Sequence, residues 1–313
     1  MVLGPARGIA FRRARTVLAS VILLVMAVSA HAQGAPPVTD PTALVRHAVA
    51  LRLAEEASNQ PLRFVFHKKD DHRAFTQEII ETPQGDVARL VALNGAPLTP
   101  GARQAEANRL HALAANPALQ QHRFRHEQAD QARIDKLLRL LPQAFVYRYV
   151  GSEPCQVADI PEIPIPGAPG PPPTSPPPGD VCYHLTYTPN PRWNPPDLES
   201  RILQGMAGNV WIDSTGDRLH RLTAHLIADV DFGWGIVGRL NRGGSIFLEQ
   251  DRLSGNDWEL THMKLNLTGK VLLVKAIRID IDESMGDFQP APKNLDYRRA
   301  IHMLLASPPQ PSP

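Results

Sequence analysis

Alternation of apolar and polar residues in the C-terminal half is the feature that most restricts the possible fold. In the predicted strand Leu219–Phe232, apolar side chains occupy every second position from Leu222 onwards. They are Leu222, Ala224, Leu226, Ala228, Val230 and Phe232. A period of two is typical of a β-strand with one buried face. Further strands are predicted at Val210–Ile212, Ser245–Leu253, Trp258–Leu267 and Lys270–Ile281, with turns at Ser254–Asp257 and Thr268–Gly269.

The N-terminal half mixes predicted helices with three more strands. The helices are predicted from Asp40–Pro41 to Ala57, over Pro100–Leu141 with a break near Asn116–Pro117 and an end at Pro142, over Asp197–Met206 and over Asn294–Leu305. The strands are predicted at Leu62–His67, Arg73–Glu81 and Asp86–Leu93. This order predicts an α+β fold in which a large curved antiparallel sheet, a half-barrel of about 9–11 strands, is covered by inserted helices.

The first 32 residues have the pattern of a secretory signal peptide. Arg7, Arg12, Arg13 and Arg15 precede the uncharged, mostly apolar stretch from Thr16 to Ala30, and Ala30-His31-Ala32 fits an A-x-A cleavage site. The apolar stretch is about 15 residues long, shorter than the ~20 that a membrane-spanning helix needs. We therefore predict export by the secretory route to the periplasm or beyond, with no transmembrane segment after cleavage.

Two cysteines flank a proline-rich insert. Cys155 and Cys182 enclose residues 156–180, in which prolines recur from Pro161 to Pro178. In an oxidising compartment two cysteines are most simply one disulfide, here closing the base of a hairpin loop. A catalytic thiol pair is the sharper alternative, but there is no Cys-x-x-Cys. The insert itself is expected to be a polyproline spacer, with PxxP recognition at Pro173–Pro176 as the alternative.

The overall charge excludes some partners. The 33 basic and 31 acidic residues give a net charge of +2, and removal of residues 1–32 would make it slightly negative. A nucleic-acid-binding protein would normally have a basic excess. No nucleic-acid partner is expected.

Several motifs that can support chemistry are present, each in an unfavourable context. Gly233–Gly238 matches G-x-G-x-x-G, but another strand follows where a dinucleotide site requires a helix. His122 and His126 have metal-ligand spacing beside Arg123 and Arg125, which would repel a cation. No metal, cofactor or catalytic residue is therefore predicted.

Two pairs of aspartates alternate along predicted strands. Asp229 with Asp231, and Asp280 with Asp282, could form an acid pair of a hydrolase or a calcium site. Acidic residues opposite an apolar face are more simply the solvated side of a sheet. The hydrolase remains the less favoured alternative.

A curved sheet under helices can enclose an apolar cavity when the helices do not fill the space. The large apolar residues expected to line such a cavity are Phe64, Phe75, Leu226, Val230, Phe232, Trp234, Phe247, Trp258 and Leu265. The alternative is an ordinary packed core made of the same residues.

The layout of the chain resembles the LolA/RseB-like fold of bacterial periplasmic carriers of lipoproteins. The sequence segments on which the resemblance depends are Arg89–Leu98, Gly208–Asp213 and Arg218–Leu222. The stretch from Phe232 to Trp258 is similar to that of uncharacterised secreted bacterial proteins. The resemblance implies a half-barrel that holds acyl chains without a catalytic residue or metal, and it transfers no individual contact residue.

These expectations combine into one domain plan and one preferred function. After residues 1–32, residues 33–306 form a single half-barrel domain with the insert at 156–180, and residues 307–313 form a disordered tail. The chain is expected to be a non-catalytic exported protein that binds a lipid, a lipoprotein acyl chain or another apolar or amphiphilic ligand. The alternative is an envelope module that binds a lipoprotein or another envelope protein through its proline-rich loop or a sheet edge.

Overall fold

The computed structural model of the protein describes residues 38–55, 60–155, 181–232, 238–254, 257–271 and 275–306. The predicted signal peptide, the proline-rich insert, Trp234 and the predicted tail at 307–313 lie outside the described residues. In the described part of the chain, no helix is both long and apolar enough to cross a membrane.

Four α-helices and one 3-10 helix are described. They are α1 (Pro41–Glu55), α2 (Pro100–Ala115), α3 (Pro117–Ala144), the 3-10 helix (Glu199–Gly205) and α4 (Tyr297–Ala306). The helix beginnings follow local chemistry, since Thr99 accepts a hydrogen bond from the Ala102 amide and Asn116 accepts one from the Leu119 amide. Asn116 also ends α2, which confirms the predicted break between the two helices.

The predicted end of the second helix was wrong. Pro142 lies inside α3, which continues to Ala144. In the last turn, the lost N–H of a proline removes one hydrogen bond without preventing the final residues from remaining helical. Tyr147 stabilises this end, because its hydroxyl donates to the Leu141 carbonyl oxygen at 3.0 Å.

The described strands are joined by antiparallel pairing into one sheet. They are β1 (Leu62–Asp70), β2 (Ala74–Ile80), β3 (Val87–Leu93), β4 (Ala96–Pro97), β5 (Phe145–Pro154), β6 (Val181–Pro189), β7 (Met206–Asp213), β8 (Leu219–Leu226), β9 (Val230–Phe232), β10 (Gly238–Leu240), β11 (Ser245–Ser254), β12 (Asp257–Val271) and β13 (Lys275–Pro290). The order is β4-β3-β2-β1-β13-β12-β11-β8-β7-β6-β5, and the short β10 pairs with β12 and β9. The sheet is open, with β4 and β5 at its edges. The predicted α+β class and large antiparallel sheet are confirmed, with thirteen described strands.

Two strand predictions need correction. The predicted strand Leu219–Phe232 is interrupted after β8, because the Ile227 amide donates to the carbonyl oxygen of Gly205 and leaves the sheet. The expected turn at Thr268–Gly269 is part of β12, whose pairing with β13 continues to Val271. Glycine is needed at position 269 because β12 and β10 approach closely there, and a Cβ would collide with the Arg239 carbonyl oxygen of β10.

The cysteine prediction is confirmed. Cys155 and Cys182 form a disulfide with their Cα atoms 4.8 Å apart. It closes the base of the β5–β6 hairpin, where Glu153 is opposite Cys182. The bridge packs against Trp211 of β7, whose indole Nε1–H donates to the Glu153 carboxylate at 2.5 Å.

The strand register defines two faces of the sheet. Residues opposite one another on neighbouring strands share a face, which gives the row Leu222, Leu248, Met263, Glu283, Lys68 and Phe75. Ile80 alternates with Phe75 along β2 and therefore lies on the opposite face.

Each face carries its own hydrophobic cluster. The packed layer consists of α2, α4 and the face of β2 and β3 that carries Ile80 and Val87, and its fully buried side chains include Leu110, Ile301 and Leu304. The cavity layer consists of α1, α3, the 3-10 helix and the other face, over β5 to β8 and β11. The candidate functional site lies in the cavity layer.

Candidate functional site

An apolar cavity of about 250 Å³ lies in the cavity layer, between the two helices and the sheet. Four residues of α1 and four of α3 form one part of its wall, and strand residues together with Ile202 and Leu203 of the 3-10 helix form the rest. Its wall consists of Val45, Ala48, Val49, Arg52, Ile134, Leu137, Leu138, Leu141, Phe145, Tyr147, Tyr187, Ile202, Leu203, Met206, Val210, Ile212, Leu219, Leu222, Ile246 and Leu248.

The two helices contribute to the wall through the same spacing. On α1 the lining positions are 45, 48, 49 and 52, and on α3 they are 134, 137, 138 and 141. Both sets follow i, i+3, i+4, i+7, which places the side chains on one stripe of a helix. The strand residues alternate, as at Val210 and Ile212, so that only one face of the sheet meets α1 and α3.

The deep end of the cavity is aromatic, and its hydroxyl groups are satisfied. Phe145 and Tyr187 have ring centroids 4.7 Å apart. The Tyr187 hydroxyl donates to the Thr223 carbonyl oxygen at 3.0 Å, and Tyr147 donates to Leu141 as described above. Burial raises the pKa of both phenols above the ordinary tyrosine value, so both stay neutral. The deep end therefore presents carbon surface to the cavity, with its polar atoms turned to the backbone.

The opposite end of the cavity is open to solvent. Ile134 on α3 lines the cavity and is nevertheless 51% exposed. Arg52, in the last turn of α1, is partly buried and is the charged side chain in the described wall. The cavity thus has a dry deep end and an exposed aliphatic residue at its open end, and its described wall includes one guanidinium group.

Two of the predicted lining residues share the cavity face of the sheet but lie beyond the cavity. Phe64 packs on Phe288 with ring centroids 5.5 Å apart, and Phe75 packs on Phe66 at 6.1 Å. The phenylalanines contact one another and do not form the cavity wall.

Four further predicted residues belong to the core around the cavity. Leu226 and Val230 are buried in the cluster of the cavity layer, and Phe232 and Leu265 pack against it. None of these four side chains is part of the cavity wall. They fill the space next to the cavity, which is the packed-core role that the sequence left open.

The remaining predicted lining residues lie elsewhere. Phe247 alternates with the lining residues of β11 and so faces the other side of the sheet, where its ring is 5.3 Å from that of His262. Trp258 is buried with the Arg252 guanidinium 5.2 Å from its ring centroid. Trp234 lies outside the described residues. None of the eight predicted residues that the structure describes belongs to the wall of this cavity, and their role as ligand contacts stays a prediction.

The motifs considered for catalysis or metal binding are occupied by other interactions. Asp229 and Asp231 both pair with Arg239, at 3.6 Å and 2.6 Å. Asp280 pairs with Arg278 at 3.2 Å, and Asp282 with His262 at 2.8 Å.

The two histidines of α3 are close to each other. His122 and His126 approach to 3.3 Å between their Nε2 atoms on the exposed side of the helix. Among the described residues, no group of three or more histidine, cysteine, aspartate or glutamate side chains is arranged to hold a metal ion.

The chain was compared with known proteins. No family model and no curated protein matches the sequence. Among solved structures, it is similar to a chain in the crystal structure of MucB in complex with MucA(peri), with 10% identity, 79% of this chain and 99% of that chain covered, and a TM-score of 0.19. A TM-score this low carries no argument about fold or function. The resemblance to the LolA/RseB-like group stays a prediction, and the open antiparallel sheet that it implied is present.

Proposed function

We propose that this protein is a non-catalytic binding protein that holds the apolar part of a lipid, an acyl chain or another amphiphile in the cavity. The observation that carries the proposal is the wall itself, which is aliphatic and aromatic and has its tyrosine hydroxyls bonded to backbone carbonyls. Such a surface gains free energy by exchanging water for hydrocarbon, at about 25 cal/mol per Å² buried. It offers few polar groups that would recognise a polar ligand.

The size of the cavity limits what it can hold. A dry cavity of about 150 Å³ lined by aliphatic and aromatic residues accepts benzene. The volume of about 250 Å³ therefore has room for a ring or part of an alkyl chain. A longer chain would extend through the open end beside Ile134, which is consistent with an amphiphile whose polar end stays in solvent.

Two further observations support the non-catalytic and exported parts of the proposal. The acidic pairs that a hydrolase would need are engaged by Arg239, Arg278 and His262. The disulfide between Cys155 and Cys182 is of a kind that persists in oxidising compartments. Together with the N-terminal sequence pattern, the disulfide supports a periplasmic or extracellular location.

The experiment is a binding assay on the purified protein with a matched pair of variants on one helix. Native mass spectrometry looks for a co-purified amphiphile, and a fluorescent fatty acid is titrated onto protein from which bound lipid has been extracted. Leu137→Trp fills the cavity from α3, whereas Leu119→Trp adds the same bulk at an exposed position of α3. We expect about a tenfold loss of affinity for the first variant and none for the second. Absence of any amphiphile together with absence of probe binding would reject the proposal, as would equal affinities of the two variants.

A second candidate function rests on the edge of the sheet. β5 is an edge strand, and Val146 and Val150 on it are 42% and 57% exposed. An unpaired strand edge with exposed apolar side chains can add a strand from a partner protein. Replacement of residues 156–180 by a short glycine–serine linker with both cysteines kept, or Val150→Lys, should then remove a cross-linked envelope partner without changing fatty-acid binding. If both variants keep the partner, this candidate fails.

A further inference from the structure

Two imidazole rings meet on the exposed side of α3. His122 and His126 are separated by one turn of the helix, with their Nε2 atoms 3.3 Å apart and their ring centroids 4.5 Å apart. This contact is long for a hydrogen bond from an N–H group. Both side chains are also exposed, so that water can replace the contact. The two nitrogens are therefore accessible to a ligand from solution.

The distance between the two nitrogens matches the spacing of two ligands on a tetrahedral zinc ion. Zinc binds imidazole nitrogen at about 2.0–2.1 Å, and two such bonds at the tetrahedral angle place the nitrogens about 3.3–3.4 Å apart. A square-planar ion with bonds of the same length would need about 2.8–3.0 Å. Histidines at i and i+4 share one side of a helix, which is a spacing at which they bind zinc.

The arginines next to the pair do not close this space. At 3.6 residues per turn, Arg123 and Arg125 lie about 80° to either side of the direction that the two histidines share. Arg123 is half-buried, and its charge opposes the rise in the pKa of Asp86 that burial causes, so that it acts on the side of α3 that faces the sheet. Arg125 is exposed, where salt and water screen its charge. The repulsion of a cation is therefore weaker than the sequence suggested.

The imidazoles form this site without a carboxylate. Asp130 continues the same side of α3, but its carboxylate accepts a hydrogen bond from Arg133 at 2.9 Å. Water can occupy the remaining positions around an exposed ion. Nitrogen ligands favour borderline cations such as zinc, whereas calcium and magnesium prefer oxygen ligands.

We propose that His122 and His126 chelate one zinc ion through their Nε2 atoms, with water at the remaining positions. The site requires α3 to be folded, because the helical spacing is what places the two rings together. Bound zinc therefore stabilises the folded state, by an amount that grows with the concentration of free zinc. The inference is independent of the apolar cavity, whose wall on α3 begins at Ile134, about 12 Å further along the helix.

The test is zinc binding by the purified protein without an affinity tag, measured by competition with a fluorescent zinc chelator. An exchange variant, His126→Gln with Gln128→His, moves the second imidazole to another side of α3 and keeps the number of histidines. It should lose at least about tenfold in zinc affinity relative to the native protein. His111→Gln, at an exposed position of α2, is the matched control and should bind zinc as the native protein does.

Two further measurements identify the metal and the ligands. An excess of calcium or magnesium should leave zinc binding unchanged. Zinc should raise the midpoint of thermal unfolding of the native protein, and it should raise that of the exchange variant less. In nuclear magnetic resonance spectra, the imidazole signals of His122 and His126 should change together as zinc is added.

Equal zinc affinities of the native protein and the exchange variant would overturn the proposal, as would an equally large loss in His111→Gln. If circular dichroism shows that the exchange variant has lost helix, His122→Gln provides the same comparison without a new histidine. Fatty-acid binding is measured on the same samples. Zinc binding that persists when no fatty acid binds would reject the cavity function alone, and the converse result would reject the zinc site alone.

Discussion

The cavity layer and the packed layer use opposite faces of one sheet, and they differ in how completely the helices fill the space. In the packed layer, Ile80, Leu110, Ile301 and Leu304 have no exposed surface. In the cavity layer, many of the side chains between the helices and the sheet, such as Leu222, are only partly buried. Burial of apolar surface alone therefore does not distinguish a stabilising core from a binding site. The difference lies in whether the facing side chains interdigitate.

The packed layer also encloses an ion pair that the cavity layer does not have among its described wall residues. Glu78 is 1% exposed and bonds to Arg89, which in turn donates to the Leu304 carbonyl oxygen. Arg63 approaches the same carboxylate at 3.5 Å. Charges buried this deeply require their partners, because an unpaired ion in the interior is costly. Dense packing and a buried ion pair therefore distinguish this layer from the cavity layer.

The largest expected effect is the loss of that carboxylate. Glu78→Ala leaves Arg89 buried without its counter-charge, and we expect the free energy of unfolding to fall by about 3–5 kcal/mol. The measurement is urea unfolding followed by far-UV circular dichroism. Arg133→Ala breaks the exposed pair with Asp130 and should cost less than about 1 kcal/mol. Similar losses in the two variants would show that the packed layer does not depend on its buried pair.

Truncation of one leucine in each layer tests the packing difference directly. Leu304→Ala removes a fully buried side chain from the packed layer and should cost about 3–4 kcal/mol. Leu222→Ala removes a side chain that already borders empty space, so that fewer contacts are lost, and should cost about 1–2 kcal/mol. Unfolding in urea with equal m-values gives the comparison. A larger loss for Leu222→Ala would contradict the assignment of the cavity.

The sheet could be predicted from the sequence, but the wall of the cavity could not. Alternation along β8 and β11 to β13, and the pairing of Cys155 with Cys182, depend on local pattern and on compartment chemistry. The predicted wall was chosen by side-chain size, and large aromatic residues such as Phe64 are those that fill space best. Most of the wall consists of medium-sized aliphatic residues, with Phe145, Tyr147 and Tyr187 at its deep end, and its helices do not meet the sheet completely. The apolar stripes at 45–52 and 134–141 can be recognised in the sequence from their helical spacing. Which face of the sheet each helix covers depends on how the helices dock in the tertiary structure.

A pH-dependent effect is expected where the two layers meet. Asp86 follows the turn between β2 and β3, and its amide donates to Glu127 of α3 at 3.2 Å. Burial, with the nearby charges of Glu81 and Glu127, raises the pKa of the Asp86 carboxyl to about 7. The folded state therefore prefers the protonated acid, and this stabilisation is complete below about pH 4 and is lost as the pH rises through about 7.

Asp86→Asn removes this titration. The stability of the variant relative to the native protein should rise by about 4 kcal/mol from about pH 4 to about pH 8, because the pKa is raised from 3.8 to about 7. Thermal or urea unfolding at a series of pH values measures the difference. A difference that does not change with pH would mean that the carboxyl is not held in its protonated form.

The smallest expected effect is a change in the free energy of unfolding, and its sign should differ between the two layers. Val210 in β7 lines the cavity, and Val87 in β3 is fully buried in the packed layer. Both are strand valines, so substitution by isoleucine adds one methylene at each site without changing β-branching. Val210→Ile should add about 0.8 kcal/mol to the free energy of unfolding, because the added group moves into space that already exists. Val87→Ile should lower it by about 1 kcal/mol or more, because the added group must displace its neighbours. Val210→Ile should in addition weaken fatty-acid binding, which Val87→Ile should not. Changes of the same sign in the two variants would mean that the helices fill both faces equally, and that the cavity is not a difference in packing.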